Sequence, residues 1–341
     1  MVIEADAPGS GARGVVLEGA RGAAFIVYDA DWQTPAITEL HAYRMALDAL
    51  PSAPGVAYLA FPWASLIDNI QSSGDSRLLQ AALDDVAKLT RRYAKVVTVC
   101  QHVALGRFVH LFETAGVTDI FWAHAGTRLA AGTFGAITVR PFPLYPVNSP
   151  GPSATVPKRH LFSFVGARPD SYYLDQTRTH IFEELDGAPG GLVVARDAWH
   201  FFPAVYHIQI KKQDIVIEDP LANAPAVEYR QALAESLFAL CPSGSGPNTL
   251  RLWEAIDCGA IPVIISPLYK PPGSARLWTA GTLNSNHSRE AIRRLPSSLM
   301  RIAADEAQIR RMRGALADLR ARYGHDSFVS DITDFFTQAA G

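Results

Sequence analysis

The 341-residue chain predicts an α/β protein of two domains built on parallel sheets, and three observations carry that expectation. Short apolar runs alternate with amphipathic stretches of helical length along most of the chain, as in sheets covered by helices. A stretch rich in proline, glycine and serine, Arg140 to Lys158, interrupts the alternation and can continue neither a helix nor a central strand. A glycine-rich turn joins an apolar strand to a helix within "CPSGSGPNTLRLWEAIDCGAIPVII", Cys241 to Ile265. Such turns mark the ligand-binding edge of open α/β sheets.

Taken in order, residues 1–20, with "GSGARGVVLEGARGA", read as a flexible leader without the basic and apolar regions of a secretory signal. Residues 21–145 hold the first alternation, with strands at Phe25–Tyr28, Val56–Phe61, Val96–Cys100, Asp119–Phe121 and Ala136–Val139. Helices fill the gaps at Pro35–Leu50, Ser76–Arg92 and Leu105–Ala115. Residues 146–158 are the expected linker, and 159–323 the second domain. Its strands are expected at Leu161–Val165, Gly191–Val194 and Asp214–Ile217, and its helices at Thr177–Glu184 and Ala226–Ala234. A charged amphipathic helix, Ala303–Arg322, and a last helix, Ser327–Gln338, complete the chain.

Composition excludes several classes. A hydrophobic share of 48% with 19% charged residues is that of a globular protein. No apolar run approaches the roughly 20 residues of a membrane-spanning helix. A net charge of −2 argues against a dedicated nucleic-acid binder. Cys100, Cys241 and Cys258 lack metal-ligand spacing and read as free thiols of a reducing compartment, with the cytoplasm as the expected location. His110, His160, His200 and His207 show no metal-site spacing either.

In the glycine-rich stretch, Leu237–Cys241 reads as a buried strand, Pro242–Gly246 as a turn, and Pro247 as the first residue of a helix running to Cys258. Gly259 supplies a left-handed cap before the strand Ala260–Ile265. Exposed amides and the helix dipole at such a turn favour an anion. Arg251 stands one turn into the helix, and Glu254 about 10 Å from its start at 1.5 Å per residue. A cation beside the anion, followed by a carboxylate able to take both hydroxyls of a ribose, points to a nucleoside diphosphate. The competing account is an ordinary turn followed by a solvated Arg–Glu pair.

The run "SLFALCPSGSGPNTLRLWEAIDCGAIPVII" resembles the signature of the exostosin-like glycosyltransferases, carbohydrate-active family 47, in its bacterial form. Upstream, "RHLFSFVGARPD…TRTHIFEEL" is similar to the family's Phe-x-Gly block and the helix arginine after it, and Val96 to Ala125 resembles the first domain of bacterial members. The resemblance implies a GT-B architecture, two Rossmann-like domains facing each other across a cleft, with residues 324–341 packing back on the first. It implies a nucleotide-diphosphate sugar on the second domain, a glycan acceptor on the first, and inverting transfer without a metal or other cofactor. Gly166, Arg168, Arg178, Ser243, Gly244, Ser245, Gly246, Asn248, Thr249, Arg251 and Glu254 would then hold the donor. After Ile265 the chain departs from the family, with "SPLYKPPGSARLWTAG" replacing the usual segment.

Inverting transfer needs a base for the acceptor hydroxyl. The candidates stand at or near the ends of first-domain strands: Asp31 in "FIVYDADW", Asp68 in "FPWASLIDNI", His102 in "TVCQHV" and His124 in "FWAHA". Asp29 and Asp31 also form an Asp-x-Asp pair that fits a metal, an acceptor-side role or loop capping. Trp32, Trp63 and Trp122 fit either stacking on acceptor sugars or core packing. The expected acceptor is an oligosaccharide or a lipid-linked glycan of surface polysaccharide synthesis. The clustered arginines of Ala303–Arg322 fit peripheral contact with an anionic inner membrane surface, or simply a solvated helix face. A nucleotide-sugar epimerase and a non-catalytic glycan-binding partner subunit are the alternative readings.

Overall fold

The computed structural model describes residues 14–129, 132–149, 156–168, 171–197 and 224–341. The expected strand Asp214–Ile217 lies outside the described residues. The described residues divide into two compact units, one holding those up to Pro143 and again from Phe328, the other those between Leu144 and Ser327.

In the first unit the strands are β1 (Val15–Glu18), β2 (Ala24–Val27), β3 (Val56–Ala60), β4 (Lys95–Cys100), β5 (Asp119–Trp122), β6 (Thr133–Phe134) and β7 (Ile137–Pro141). Its helices before residue 143 are α1 (Thr38–Ala49), α2 (Trp63–Gln71), α3 (Arg77–Thr90) and α4 (Val109–Thr114). The sheet order is β1-β2-β3-β4-β5-β7-β6. β1 and β6 are antiparallel to their neighbours, and the strands between them are parallel. Alternation along the strands divides the core between two faces. Ile26, Leu59, Phe61, Val96, Cys100 and Ile120 join residues of α2, α3 and α4 in one buried apolar cluster. Phe25 meets Tyr43 of α1, with ring centroids 6.4 Å apart.

Three expectations are corrected in this unit. Val15–Glu18 belongs not to a flexible leader but to edge strand β1, because Val15, Val16 and Leu17 pair with Val27, Ile26 and Phe25. The helix expected over Leu105–Ala115 is shorter: Leu105–Arg107 forms a 3₁₀ turn, and α4 begins only at Val109. The proline-rich stretch does not end the sheet at Arg140. Arg140 and Pro141 pair with Phe121 and Trp122 in β7, at positions beyond the pairing of β6, where a proline costs no ladder bond.

In the second unit β8 (His160–Ala167), β9 (Gly191–Arg196), β10 (Ser236–Pro242), β11 (Ile261–Ile265) and β12 (Leu283–Asn284) form an all-parallel sheet in the order β12-β11-β10-β8-β9. The helices are α5 (Thr177–Leu185), α6 (Ala224–Ala234), α7 (Leu250–Asp257), α8 (Ala275–Gly281), α9 (Arg289–Ala303) and α10 (Glu306–Tyr323). The chain moves outward in one direction from β8 to β9 and in the other from β10 to β12. The order therefore reverses between β8 and β10, and the carboxyl ends of those strands flank the crevice where such sheets bind ligands. Both units are thus α/β with parallel, Rossmann-like sheets.

The charged helix expected over Ala303–Arg322 is α10, which starts at Glu306 because Asp305 caps it by accepting the Gln308 N–H at 2.9 Å, while Ala303 ends α9. The departing segment after Ile265 supplies α8. The last helix, α11 (Ser330–Ala340), packs within the first unit. There Phe335 lies edge-on to Phe121 at 6.1 Å, and Phe328 meets Phe142 at 5.2 Å. Among the described residues no helix is long and apolar enough to cross a membrane.

Candidate functional site

The carboxyl edge of the second sheet collects most of the donor-site residues expected from the motif. Strand β8 ends in Phe164-Val165-Gly166-Ala167, and the missing side chain at Gly166 is filled by two cations. A Cβ there would lie 2.9 Å from Arg251 Nη2 and 3.0 Å from Arg178 Nη1. Both arginines are buried, each 7% exposed. Arg251 reaches the spot from α7 and leans on aromatic faces, its Cζ 4.3 Å from the Phe164 ring centroid and 5.4 Å from that of Tyr229. Arg178 comes from α5, with its Cζ 4.0 Å from the Tyr173 ring and 5.5 Å from that of Phe164. Ring contacts of this kind favour the cation without using its N–H donors. Arg251 Nε and Nη1 are buried and have no hydrogen-bond partner among the described residues. An unmet donor of this kind costs about 1–3 kcal/mol, and an arriving anion removes the cost.

Glu254, one turn beyond Arg251, is 3% exposed. Its carboxylate accepts the Tyr229 hydroxyl at 2.5 Å and the Asn148 amide at 3.3 Å. Burial raises its pKa, while Tyr229, the Arg251 charge and the Asn148 amide pull the other way. Burial likewise pushes the Tyr229 hydroxyl well above its ordinary value. The solvated Arg–Glu pair considered from sequence is thereby excluded.

The loop between β10 and α7 also differs from expectation. Helix α7 begins at Leu250 rather than Pro247, because the preceding residues are engaged in the loop. Pro247 C=O accepts the Ser266 hydroxyl at 2.7 Å, and Asn248 Oδ1 accepts the Thr249 N–H at 2.8 Å and Trp253 Nε1 at 3.0 Å. The later start puts Glu254 about 6 Å from the helix start instead of 10 Å. Asn248 is buried and braces the loop, and the Thr249 amide is engaged by it. The Gly244 N–H bonds to Gly246 C=O at 3.0 Å, and its own carbonyl takes the Leu174 N–H at 2.9 Å. Ser243 donates to Asp175 at 2.8 Å, and Asp175 also accepts the Thr177 N–H at the start of α5. Ser245 is exposed. Arg168 is exposed just past β8, with its N–H on Arg196 C=O at 2.8 Å. The motif residues therefore divide into Arg178 and Arg251, which form a cation pocket over Gly166, and loop residues that hold its shape.

Sequence reasoning missed Tyr229, Asn148, Tyr173 and Asp175. Asp175 carried a signal, since an aspartate just before a helix is a capping residue. Asn148 was hidden in the expected linker, yet it is fully buried in the second unit and accepts Arg230 Nη1 at 2.8 Å. Residues 144–149 are therefore part of this unit.

In the first unit the candidate bases occupy different settings. His102 follows β4, with Nε2 3.0 Å from Asp68 Oδ1 and Nδ1 accepting the Ala104 N–H at 3.0 Å. Asp68, on α2, takes Gln33 Nε2 on its other oxygen at 2.5 Å. His124 is buried, and desolvation drives its pKa down to about 3. Asp31 is exposed on left-handed backbone (φ 57°), its carboxylate holding the Tyr28 hydroxyl at 2.9 Å. Among the described residues no group of three His, Cys, Asp or Glu side chains forms a metal-binding cluster. Trp63 is fully buried and stacks on Phe112 at 4.0 Å, so it cannot meet a sugar. Trp32 stacks on Tyr43 at 5.9 Å, and Trp122 donates to His102 C=O at 2.9 Å.

A probable glycosyltransferase of Arabidopsis thaliana is 30% identical over 102 residues, covering 27% of this chain and 21% of that protein. The chain thus spans about a fifth of that relative's length. Similar solved structures include a glycosyltransferase from Rickettsia africae, with 9% identity, TM-score 0.47, and coverage of 90% of this chain and 96% of that one. Anabaena HepE in complex with UDP and glucose has 11% identity, TM-score 0.45, and coverage of 88% and 81%. The pneumococcal O-GlcNAc transferase GtfA, in complex with UDP and GlcNAc, has 13% identity, TM-score 0.44, and coverage of 92% of this chain but 61% of its own. Residues 133–280 match the profile of the Exostosin GT47 domain. That span, less than half of the chain, contains Gly166, Arg178, Arg251 and Glu254.

Proposed function

We propose that the protein is an inverting glycosyltransferase that takes its sugar from a nucleotide-diphosphate donor held by the second unit. One observation carries this reading. Arg178 and Arg251 converge, buried, over Gly166 beside the sheet's reversal point, and Arg251 keeps two nitrogens without a hydrogen-bond partner among the described residues. A diphosphate supplies both negative charge and the acceptor oxygens that Arg251 lacks among the described residues. In the reaction the acceptor hydroxyl loses its proton to a base and attacks the anomeric carbon. The bond from that carbon to the diphosphate oxygen breaks with its electron pair. Single displacement inverts the centre, and the guanidinium groups stabilise the departing charge. On this reading no metal or other cofactor is needed, since the arginines supply the positive charge.

Glu254, oriented by Tyr229 and Asn148, sets the floor of the ribose site. The base is drawn from His102, His124, Asp31 and Asp68 of the first unit. The acceptor is an oligosaccharide or lipid-linked glycan of a surface polysaccharide. The enzyme works in the cytoplasm, where the arginines of α10, of which exposed Arg310 pairs with Glu306 at 3.4 Å, suit peripheral contact with an anionic inner membrane.

The test is calorimetric titration of the full chain with UDP, GDP, dTDP and CMP, in EDTA and again with magnesium. One nucleoside diphosphate should bind with equal affinity in both buffers and lose its heat signal in Arg251→Met. No binding to any of them would remove the donor reading. Binding only with magnesium would remove the metal-independent part of it.

A further inference from the structure

Each candidate base can be judged by whether it has a lone pair to offer and whether it is held in place. His102 has the first position after β4 that suggests catalysis, yet its imidazole is fully committed. Nδ1 accepts the Ala104 N–H at 3.0 Å, which requires that nitrogen to be unprotonated. Nε2 then carries the hydrogen and donates it to Asp68 Oδ1 at 3.0 Å. No lone pair remains for an acceptor hydroxyl. His124 lies buried at the end of β5, and Asp31 is exposed with the Tyr28 hydroxyl on its carboxylate.

Asp68 is different on both counts. His102 Nε2 holds one oxygen and Gln33 Nε2 the other, at 3.0 and 2.5 Å. Gln33 Oε1 accepts Gln101 Nε2 at 2.6 Å, and Gln101 also donates to Ala36 C=O at 2.7 Å. The Gln101 N–H bonds Glu39 Oε1 at 2.9 Å, and Glu39 Oε2 takes the Ala64 N–H at 3.2 Å, at the start of the helix that bears Asp68. The hydrogen bonds close a ring from α2 through Asp68, Gln33, Gln101 and Glu39 back to α2. A carboxylate oxygen has two lone pairs, so each oxygen of Asp68 retains one. Its side chain is 21% exposed, enough for a hydroxyl to reach it.

We infer that Asp68 is the general base of the transfer and that His102 is a positioning residue, its imidazole locked as the Nε2–H tautomer by the Ala104 amide. The acceptor O–H bond breaks and its proton passes to an Asp68 oxygen. The electron pair left on the acceptor oxygen forms the new bond to the anomeric carbon. This rests on the glycosyltransferase reading above and chooses among its four candidate bases.

Two measurements on the full-length protein test it. The first is UDP release from UDP-glucose, UDP-galactose, UDP-N-acetylglucosamine and UDP-glucuronate with water as acceptor, alongside UDP affinity, for wild type, Asp68→Asn, Asp31→Asn, His102→Ala and His102→Gln. Asp68→Asn should lower turnover by about 10²–10⁴ at unchanged UDP affinity. His102→Ala should lose about tenfold, and His102→Gln should recover most of that, since its amide can donate to the same oxygen. The second is the long-range ¹H–¹⁵N spectrum of the histidine-labelled protein, with His102 assigned by its loss in His102→Gln. It should show protonated Nε2 and bare Nδ1, whatever the turnover. A protonated Nδ1, a His102→Gln variant as inactive as Asp68→Asn, or full turnover in Asp68→Asn would overturn the inference. Failure of the wild type to bind UDP would count against that donor instead, and the ring spectrum would still judge the His102 lock.

Discussion

At the carboxyl edge of the first sheet four polar side chains close their hydrogen bonds into a ring, whereas at the edge of the second a buried cation is left with donors unmet. Asp68, Gln33, Gln101 and Glu39 close their hydrogen bonds into a ring and need no ligand to complete it. Arg251 leans on Phe164 and Tyr229 and keeps Nε and Nη1 unbonded among the described residues. The topology differs in the same sense. The first sheet runs through its strands in steadily rising order, apart from the β7-β6 hairpin, while the second reverses between β8 and β10. A closed polar ring fixes geometry. An unsatisfied cation beside a reversal point is an energetic cost that binding relieves, so the two edges are suited to holding a group in place and to capturing an anion.

The largest effect that would sharpen this contrast is at Arg251. Replacement by methionine removes a charge and its unmet donors, so the ligand-free protein should unfold at the same or a higher temperature. Affinity for the nucleoside diphosphate should fall by at least about 30-fold, since losing a buried hydrogen-bonded charge partner costs about 2–5 kcal/mol. A variant that loses stability and keeps affinity would make Arg251 a structural cation and break the comparison.

Gly166→Ala tests the same pocket more gently. Its Cβ would press on Arg251 Nη2 and Arg178 Nη1, the ends of flexible side chains. The fold should survive, and calorimetry should show affinity reduced about tenfold, or about 1.4 kcal/mol. Unchanged affinity would mean that the guanidinium groups need not meet over this residue.

On the first unit the sensitive quantity is stability against pH. Burial raises Glu39 from 4.5 to about 8, against the opposing pull of the Gln101 and Ala64 amides. The folded protein therefore keeps a proton that the unfolded chain releases in that range. The Glu39 contribution is complete below about pH 4.5 and is lost as pH rises through about 8. Denaturant unfolding should show a slope of at most about 1.4 kcal/mol per pH unit from this group. Glu39→Gln should lack it. A wild type whose stability rises across the same range relative to Glu39→Gln would mean that Glu39 is ionised in the ring.

The smallest effect is expected at Arg168, which the motif places with the donor residues but which is exposed. Arg168→Ala should change nucleotide affinity by about threefold or less, with that change vanishing at high salt, as for a screened surface charge. A 100-fold loss would bring Arg168 into the pocket with Arg178 and Arg251.

How much was legible follows from the range of each interaction. Strands β3, β4 and β10 were readable because their apolar runs are continuous and bounded by turns. Gly259 was readable as a cap, and it adopts the left-handed backbone with φ 70°. The start of α7 was misplaced, because Pro247 satisfies a helix rule locally while Ser266, 19 residues away, holds its carbonyl in the loop. β1 was hidden because glycines surround it and its order comes from pairing with β2.

The sequence alone determined the repeating α/β pattern, the glycine-rich turn, and the presence of an arginine and a glutamate one helical turn apart, since these depend on period and spacing within a few turns. Only the tertiary structure decided what surrounds them. The Asn148 amide reaches Glu254 across 106 positions, Tyr229 reaches it across 25, and Gln101 meets Glu39 across 62. A side chain's partners at such separations are set by which strands and helices pack together. Burial then decides whether an arginine is a solvated surface charge or the centre of an anion pocket.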